Sequence, residues 1–242
     1  VYRLLISVLC VALLVSCQAT PVAPTATPAA TAAATATALS TPRPTISARP
    51  AEIPPTPPGP TPTPLKVSID GREVSVSQLL PTRVDNSALP VTRIEELHFT
   101  GEDPGFDTET WQLKIDGLVE RPLTLNYADI LARPVVTEVV LLVCPGVFAD
   151  NAEWSGTPLG PILQEAGIKP GAKEVRLVGG DFYTYILDLD QALAEGAFLA
   201  YRVNGQNLPS AHGFPVRLVV RNEYGWAWVK WLTNITVRGT GN

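Results

Sequence analysis

The stretch VVTEVVLLVCPGVFADNAEWSG, residues 135–156, decides the fold and the chemistry together. Its first ten residues are an apolar, β-branched run that reads as a strand buried in a sheet. The run ends on Cys144, and the residues that follow turn abruptly to Pro, Gly, Asp and Asn. A thiol at such a boundary has three readings: a small hydrophobe packed in a core, a nucleophile, or a metal ligand. Of the chain's 3 cysteines, the other two stand at positions 10 and 17, so Cys144 has no partner for a disulfide inside a folded body.

Working outward, the amino-terminal segment reads as an export signal. Arg3 gives a positive start, Leu4 to Leu14 are apolar but too few to span a bilayer, and small residues precede Cys17 in LVSC. This resembles a bacterial lipoprotein signal, in which Cys17 becomes the lipidated first residue. Residues 1–17 are thus expected to be a signal peptide, with a lipid anchor at Cys17 holding the protein on the extracytoplasmic face of the membrane. Residues 18–64 are dominated by Pro, Thr and Ala. With almost nothing apolar to bury, they read as a disordered linker rich in extended polyproline segments.

Residues 65–242 are long enough for one domain with a substantial core. The formal charge of −5, with no basic stripe, excludes a polyanion such as nucleic acid as partner. Strand signals dominate. KVSIDGREVSV (66–76) alternates around Asp70-Gly71 as a hairpin, and WQLKIDG (111–117) puts Trp111, Leu113 and Ile115 on one face. Further strands are expected at 174–178, 183–187, 198–203, 216–220, 226–231 and 234–237. Two short helices are expected, Tyr127 to Leu131 capped by Asn126, and Leu159 to Ala166 between Pro158 and Gly167. Helices do not alternate with strands, so the pattern predicts an α+β, mainly β, mixed-sheet single domain. The chain contains neither a GxGxxG nor a phosphate-binding P-loop.

Polar residues interrupt this apolar pattern in three places. LHFTGEDPGF (97–106) carries His98 and Thr100, CPGVFADN (144–151) carries the thiol and Asp150, and HGFPVRLVV with GWAWVKW carries His212, Arg217 and Lys230. If 226–231 is a strand, Trp226, Trp228 and Lys230 share a face that suits an anionic heterocycle. A lysine snorkelling over apolar neighbours gives the same pattern. Arg217 within an apolar strand demands an anionic or carbonyl partner, while for His212 taken alone a satisfied loop histidine is the commoner reading.

In order and spacing, DTETWQLKIDGLVERPLTLNYADIL (107–131), VCPGVFADNAEWSGTPLGPILQEAGIKPGA (143–172), FLAYRVNGQNLPSAHGFPVRLVV (198–220) and GWAWVKWLTNITV (225–237) resemble the molybdopterin-binding oxidoreductase domain of the sulfite oxidase family. The resemblance implies a sulfite-oxidase-type fold and a molybdenum–molybdopterin cofactor. It implies Cys144 as the metal ligand and His98, Thr100, His212, Arg217, Trp228, Val229 and Lys230 as cofactor-binding residues. Asp150 and Asp181 would join Cys144 as catalytic residues. The implied reaction is oxo transfer on a small molecule. Electrons would pass to or from a separate partner, a cytochrome or a membrane quinone enzyme, since the chain has no CxxCH haem motif and no cysteine cluster.

One departure bears on the substrate. Sulfite oxidases place arginines just after the metal-binding cysteine, whereas this chain has Pro145, Gly146, Val147 and Phe148. A sulfoxide-like or other weakly charged oxide is therefore expected in preference to sulfite, with Asp150 repelling an anion. The other classes are a cofactor-free binding or scaffold lipoprotein on the same fold, a cysteine hydrolase using Cys144 and His212, and a zinc enzyme short of ligands.

Overall fold

The computed structural model describes residues 64–241, position 70 excepted. The signal, the lipid-anchor cysteine and nearly all of the linker expected above lie outside the described residues. Along the chain come β1 (Lys66–Ile69), β2 (Arg72–Ser75), β3 (Gln112–Gly117), β4 (Leu123–Asn126), α1 (Tyr127–Leu131), β5 (Val136–Cys144) and β6 (Phe148–Pro158). These are followed by α2 (Leu159–Ala166), β7 (Glu174–Gly179), β8 (Thr184–Asp188), α3 (Leu189–Leu193), β9 (Ala197–Val203), β10 (Gln206–Asn207), β11 (Arg217–Val220) and β12 (Leu232–Arg238). This is the expected α+β architecture dominated by sheet.

β1 and β2 form the antiparallel hairpin, with Val67 opposite Val74. One five-stranded sheet runs β4-β3-β12-β7-β8; the other runs β10-β9-β6-β5, with β11 sharing the β10 edge of β9. β12 lies parallel to β3, and the other pairings among the described strands are antiparallel. Leu113 and Ile115 of β3, with Trp111 just before it, are buried while Gln112 and Lys114 face out, as alternation requires. Helix α1 carries a capping box in which the Asn126 side chain accepts from the Asp129 N–H and Asp129 accepts from the Asn126 N–H. Helix α2 buries Leu159, Ile162, Leu163 and Ala166, one face at helical spacing, and stops at Gly167 in the left-handed conformation.

Both sheets and α2 contribute to one core. Strand β5 explains its own uninterrupted apolar run, because its two faces serve different clusters. Val140 and Leu142 belong to the main core; Leu141 and Val143 pack with Val76, Ala149, Leu65 and Val67 under the amino-terminal hairpin. Burial on both faces calls for a continuous rather than alternating strand. Each of these side chains contributes roughly 1.5–3 kcal/mol by burial.

Two parts of the pattern differ from expectation. Strand β6 begins at Phe148 and runs through Asp150 and Asn151, which read in sequence as loop. The strand tolerates them because both are satisfied. The Asn151 amide donates to the Asn86 and Leu89 carbonyls, and its Oδ1 accepts from Asn86. Conversely, 226–231 is not a strand. Gly225–Ala227 is a 3₁₀ turn, and Trp231 takes a left-handed φ of 49°. Instead of a continuous ladder, the segment meets the β11 region through Leu218 N–H to the Val229 carbonyl, Leu232 N–H to the Val216 carbonyl and Arg217 Nη2 to the Trp228 carbonyl. Indole anchoring stands in for a ladder: Trp228 Nε1 donates to the Glu223 carbonyl and Trp231 Nε1 to the Ser210 carbonyl. Helix α3 carries no apolar period that the sequence reading used.

Candidate active site

Cys144 closes β5, and a tight turn returns the chain to β6. Val147 N–H donates to the Cys144 carbonyl, Gly146 takes the positive φ the turn needs, and its N–H donates to the Ser77 carbonyl. The thiol is free and half-buried, and it lines a cavity of about 340 Å³ together with Leu142, Pro145 and Phe148. Burial pushes its pKa up. No cation or base among the described residues acts in the opposite direction, so these residues alone do not make the sulfur a nucleophile.

The second wall comes from the segments around β11 and is cationic. Arg217 is 4 % exposed. Its Nη1 donates to the His212 carbonyl at 3.0 Å and its Nη2 to the Trp228 carbonyl at 3.3 Å, and the guanidinium lies over the rings of Trp154 and Trp228. Its Nε is buried with no hydrogen-bond partner among the described residues. Lys230 donates to the carbonyls of Ala211 and Thr100 and sits over the Trp231 ring. Gly213 is required where these meet: a Cβ there would fall 2.9 Å from Arg217 Cβ and 3.1 Å from Lys230 Cβ, at a φ of 110°.

The wall is electrostatically frustrated. Burial pulls the Arg217 guanidinium down to about 9, with Asp150 opposing. Burial and then Arg217 pull Lys230 down to about 8, opposed by Asp181 and Asp103. His212 is pulled down to about 4 by burial, Arg217 and Lys230. Among the described residues, neither Arg217 nor Lys230 forms a salt bridge. Two clustered cations without a bound carboxylate, one with an unused donor, fit a multiply charged anion.

Of the residues singled out in sequence, His98, Thr100, Cys144, Asp181, His212, Arg217, Trp228 and Lys230 line this one cavity. Val229 is 1 % exposed and does not line it; its carbonyl is engaged by Leu218. Asp150 does not line it either. Its carboxylate is 1 % exposed and holds His98 from behind, accepting from the backbone N–H at 2.8 Å and lying 2.9 Å from Nδ1. Burial raises the Asp150 pKa, while its contacts with His98 and the charge of Arg217 lower it. Asp181 accepts from the Tyr183 N–H.

Sequence reasoning named Phe148 and Trp226 but missed the rest of the apolar lining, Phe99, Leu142 and Tyr183. Phe99, Tyr183 and Trp226 are also exposed, an unusual position for large apolar groups. Tyr183 donates from its hydroxyl to the Trp226 carbonyl, tying two of them together. Their adjacency to His98, Asp181 and Lys230 in sequence was the available signal.

The thiol and the cation cluster meet in one cavity, and comparison with known families supplies the class, an oxidoreductase domain that binds molybdopterin. The family model described as "Oxidoreductase molybdopterin binding domain" matches residues 100–241, and the chain belongs to that family. Among individual proteins, it is 36% identical over 156 residues to the "Uncharacterized oxidoreductase YuiH" of Bacillus subtilis (strain 168), covering 63% of this chain and 78% of that one. It is 31% identical over 161 residues to the "Nitrate reductase [NADPH]" of Beauveria bassiana, covering 55% of this chain but 18% of the reductase. Among solved structures it resembles the sulfane dehydrogenase SoxCD from Paracoccus pantotrophus, with a TM-score of 0.53 and 28% identity over 55% of this chain and 39% of that one. The similarity thus spans most of YuiH and well under half of the other two.

Proposed function

We propose that this chain is a molybdenum-cofactor-dependent oxidoreductase that transfers an oxygen atom to or from a small oxide. The carrying observation is the single half-buried thiol in a cavity also lined by Arg217 and Lys230, neither of which forms a salt bridge among the described residues. Among the described residues there is no group of three or more His, Cys, Asp or Glu side chains able to hold a metal. A metal here must therefore arrive with further ligands of its own, as a metal-bearing pterin does, and take one soft donor from the protein. When bound, such a group supplies two-electron oxo-transfer chemistry.

The residues then divide the work. Cys144 gives the thiolate, and coordination offsets the burial that otherwise keeps the sulfur protonated. Arg217, Lys230 and His212 hold the phosphate, the unpaired Nε and the clustered charge being what a phosphate satisfies. His98, Thr100 and Trp228 position the heterocycle, while Val229, expected to join them, is buried outside the cavity with its main chain already paired. Asp181, beside Tyr183 and within electrostatic range of Lys230, orients substrate or water.

The apolar lining near the thiol, Leu142, Pro145 and Phe148, offers no charge-assisted hydrogen bond to sulfite. It favours an uncharged oxide such as a sulfoxide. With the Asp150 carboxylate committed to His98, the lack of arginines, and not repulsion by Asp150, carries this preference. Electrons are exchanged with a separate cytochrome or membrane quinone enzyme. Cys17 anchors the protein by lipid on the extracytoplasmic face of the membrane; no helix among the described residues is long and apolar enough to cross a bilayer.

Expression in a cofactor-competent host followed by elemental analysis tests this reading. About one molybdenum per chain is expected in the wild type, and background metal in Cys144→Ser. Wild-type protein without molybdenum would favour a cofactor-free binding protein instead. Turnover with methionine sulfoxide exceeding that with sulfite supports the substrate class, and efficient sulfite turnover overturns it.

A further inference from the structure

His98 stands between two cavities. It lines the large one that holds Cys144 and a second of about 240 Å³ bordered also by Lys66, Thr92, Glu96 and Asp150. Its ring is held on two sides, stacked on Phe148 at 4.6 Å and 5° and paired through Nδ1 with Asp150. The same carboxylate's other oxygen takes the His98 backbone N–H, so ring and main chain are gripped by one group. That grip comes from the third residue of β6, within the hydrogen-bonded β5–β6 ladder: Asp150 faces Leu142.

An ionised carboxylate has only acceptors to offer, so the ring nitrogen against it has to carry the proton. The other nitrogen, Nε2, is then the one with the lone pair. We propose that Asp150 is a positioning residue that fixes His98 as the Nδ1–H tautomer, holding Nε2 as a hydrogen-bond acceptor for a donor group bound in the large cavity. A donor N–H of a bound heterocycle, or the O–H of a water at the site, meets that requirement. The identity of this ligand rests on the function proposed above; the tautomer does not. The arrangement parallels the general use of a buried carboxylate to orient a histidine whose far nitrogen does the work.

The test reads ring nitrogens directly. The chain has 2 histidines, so ¹⁵N-histidine labelling of the full-length protein gives two sets of ring signals, and His98→Gln assigns them by loss of one. At pH 8, His98 is expected to show a protonated Nδ1 and an unprotonated Nε2. A protonated Nε2, alone or with Nδ1, overturns the proposal.

In Asp150→Asn the amide oxygen can keep the backbone N–H while its NH₂ donates to Nδ1, so the proton is expected to move to Nε2. An unchanged tautomer contradicts the proposal. In Asp150→Ala, formate is expected to restore the Nδ1–H form, since the second cavity borders the deleted carboxylate; no response to formate contradicts it. Should both variants fail to fold, the wild-type assignment still decides. A loss of ligand retention of about 10–100-fold in Asp150→Asn is the magnitude expected for orienting partners. Molybdenum content is measured separately, so a correct tautomer in a metal-free protein refutes the proposed function and leaves this inference standing.

Discussion

The two walls of the cavity are built in opposite ways. The thiol wall is regular sheet: β5 and β6 pair over nine consecutive positions from Val136–Gly156 to Cys144–Phe148, and Cys144 is placed by the ladder and a tight turn. The cation wall is made of irregular chain, a 3₁₀ turn at Ser210–His212, another at Gly225–Ala227, and isolated carbonyl contacts. A sheet positions one atom well but leaves its electronic state alone; the Cys144 pKa is moved by burial only. Irregular chain brings Arg217 close enough to depress Lys230, and both close enough to depress His212. The comparison teaches that one wall supplies placement and the other supplies charge, and that the charged wall carries the folding cost.

That comparison can be broken most severely at Arg217. Arg217→Ala removes the donor to two carbonyls and the guanidinium packed over the rings of Trp154 and Trp228. It is expected to lower stability by about 2–4 kcal/mol in urea denaturation and to abolish cofactor retention. Arg217→Lys keeps the charge without the fork and should recover only part of the retention. Retention and stability equal to wild type in Arg217→Ala would show that the wall is not built around this charge.

Acid sharpens the comparison next. His212 titrates near 4 in the fold against 6.5 when unperturbed, so the unfolded chain binds more protons between those values. Its neutral form is favoured in the fold; stability is unaffected by this group above about pH 6.5 and falls as the pH drops from there toward 4. The loss amounts to about 3 kcal/mol at most, from the cited shift at 1.36 kcal/mol per unit. His212→Asn should flatten that part of the stability profile, measured by urea midpoints against pH.

Lys230, which is less buried, acts in the same direction at higher pH. With its pKa pulled down to about 8 from 10.5, stability is expected to rise between those values as the folded protein sheds a proton first. Over the same range phosphate affinity should fall, because the bound anion loses a cation. Lys230→Gln is expected to remove both trends in calorimetric titration with inorganic phosphate.

The smallest effect is expected at the thiol itself. Cys144→Ala, at a half-buried site whose position is set by backbone, should change stability by about 1 kcal/mol or less, although it removes the proposed metal ligand. A destabilisation as large as that of Arg217→Ala would mean that the sulfur is a packing residue.

The same contrast explains what was legible in the sequence. β1 and β2, β3, both short helices and the buried strand up to Cys144 follow from local rules of alternation, capping and turn chemistry, and the structure forms them. The cation wall was legible as residue types but not as geometry. Trp226, Trp228 and Lys230 alternate like a strand, yet indole hydrogen bonds and the left-handed Trp231 hold them as a loop. β6 was hidden because Asp150 and Asn151 look like loop residues until their partners, at positions 98 and 86–92, are brought across the fold. Pairings separated by more than fifty residues leave no periodic trace, so the grip of Asp150 on His98 could not have been read from either segment.

The most direct test of the account is the molybdenum K-edge X-ray absorption spectrum of the purified protein, compared with any residual metal in Cys144→Ser. The account predicts a wild-type shell containing one more sulfur scatterer than the variant. Identical sulfur shells in the two proteins would place the metal on some other group and contradict the assignment of Cys144.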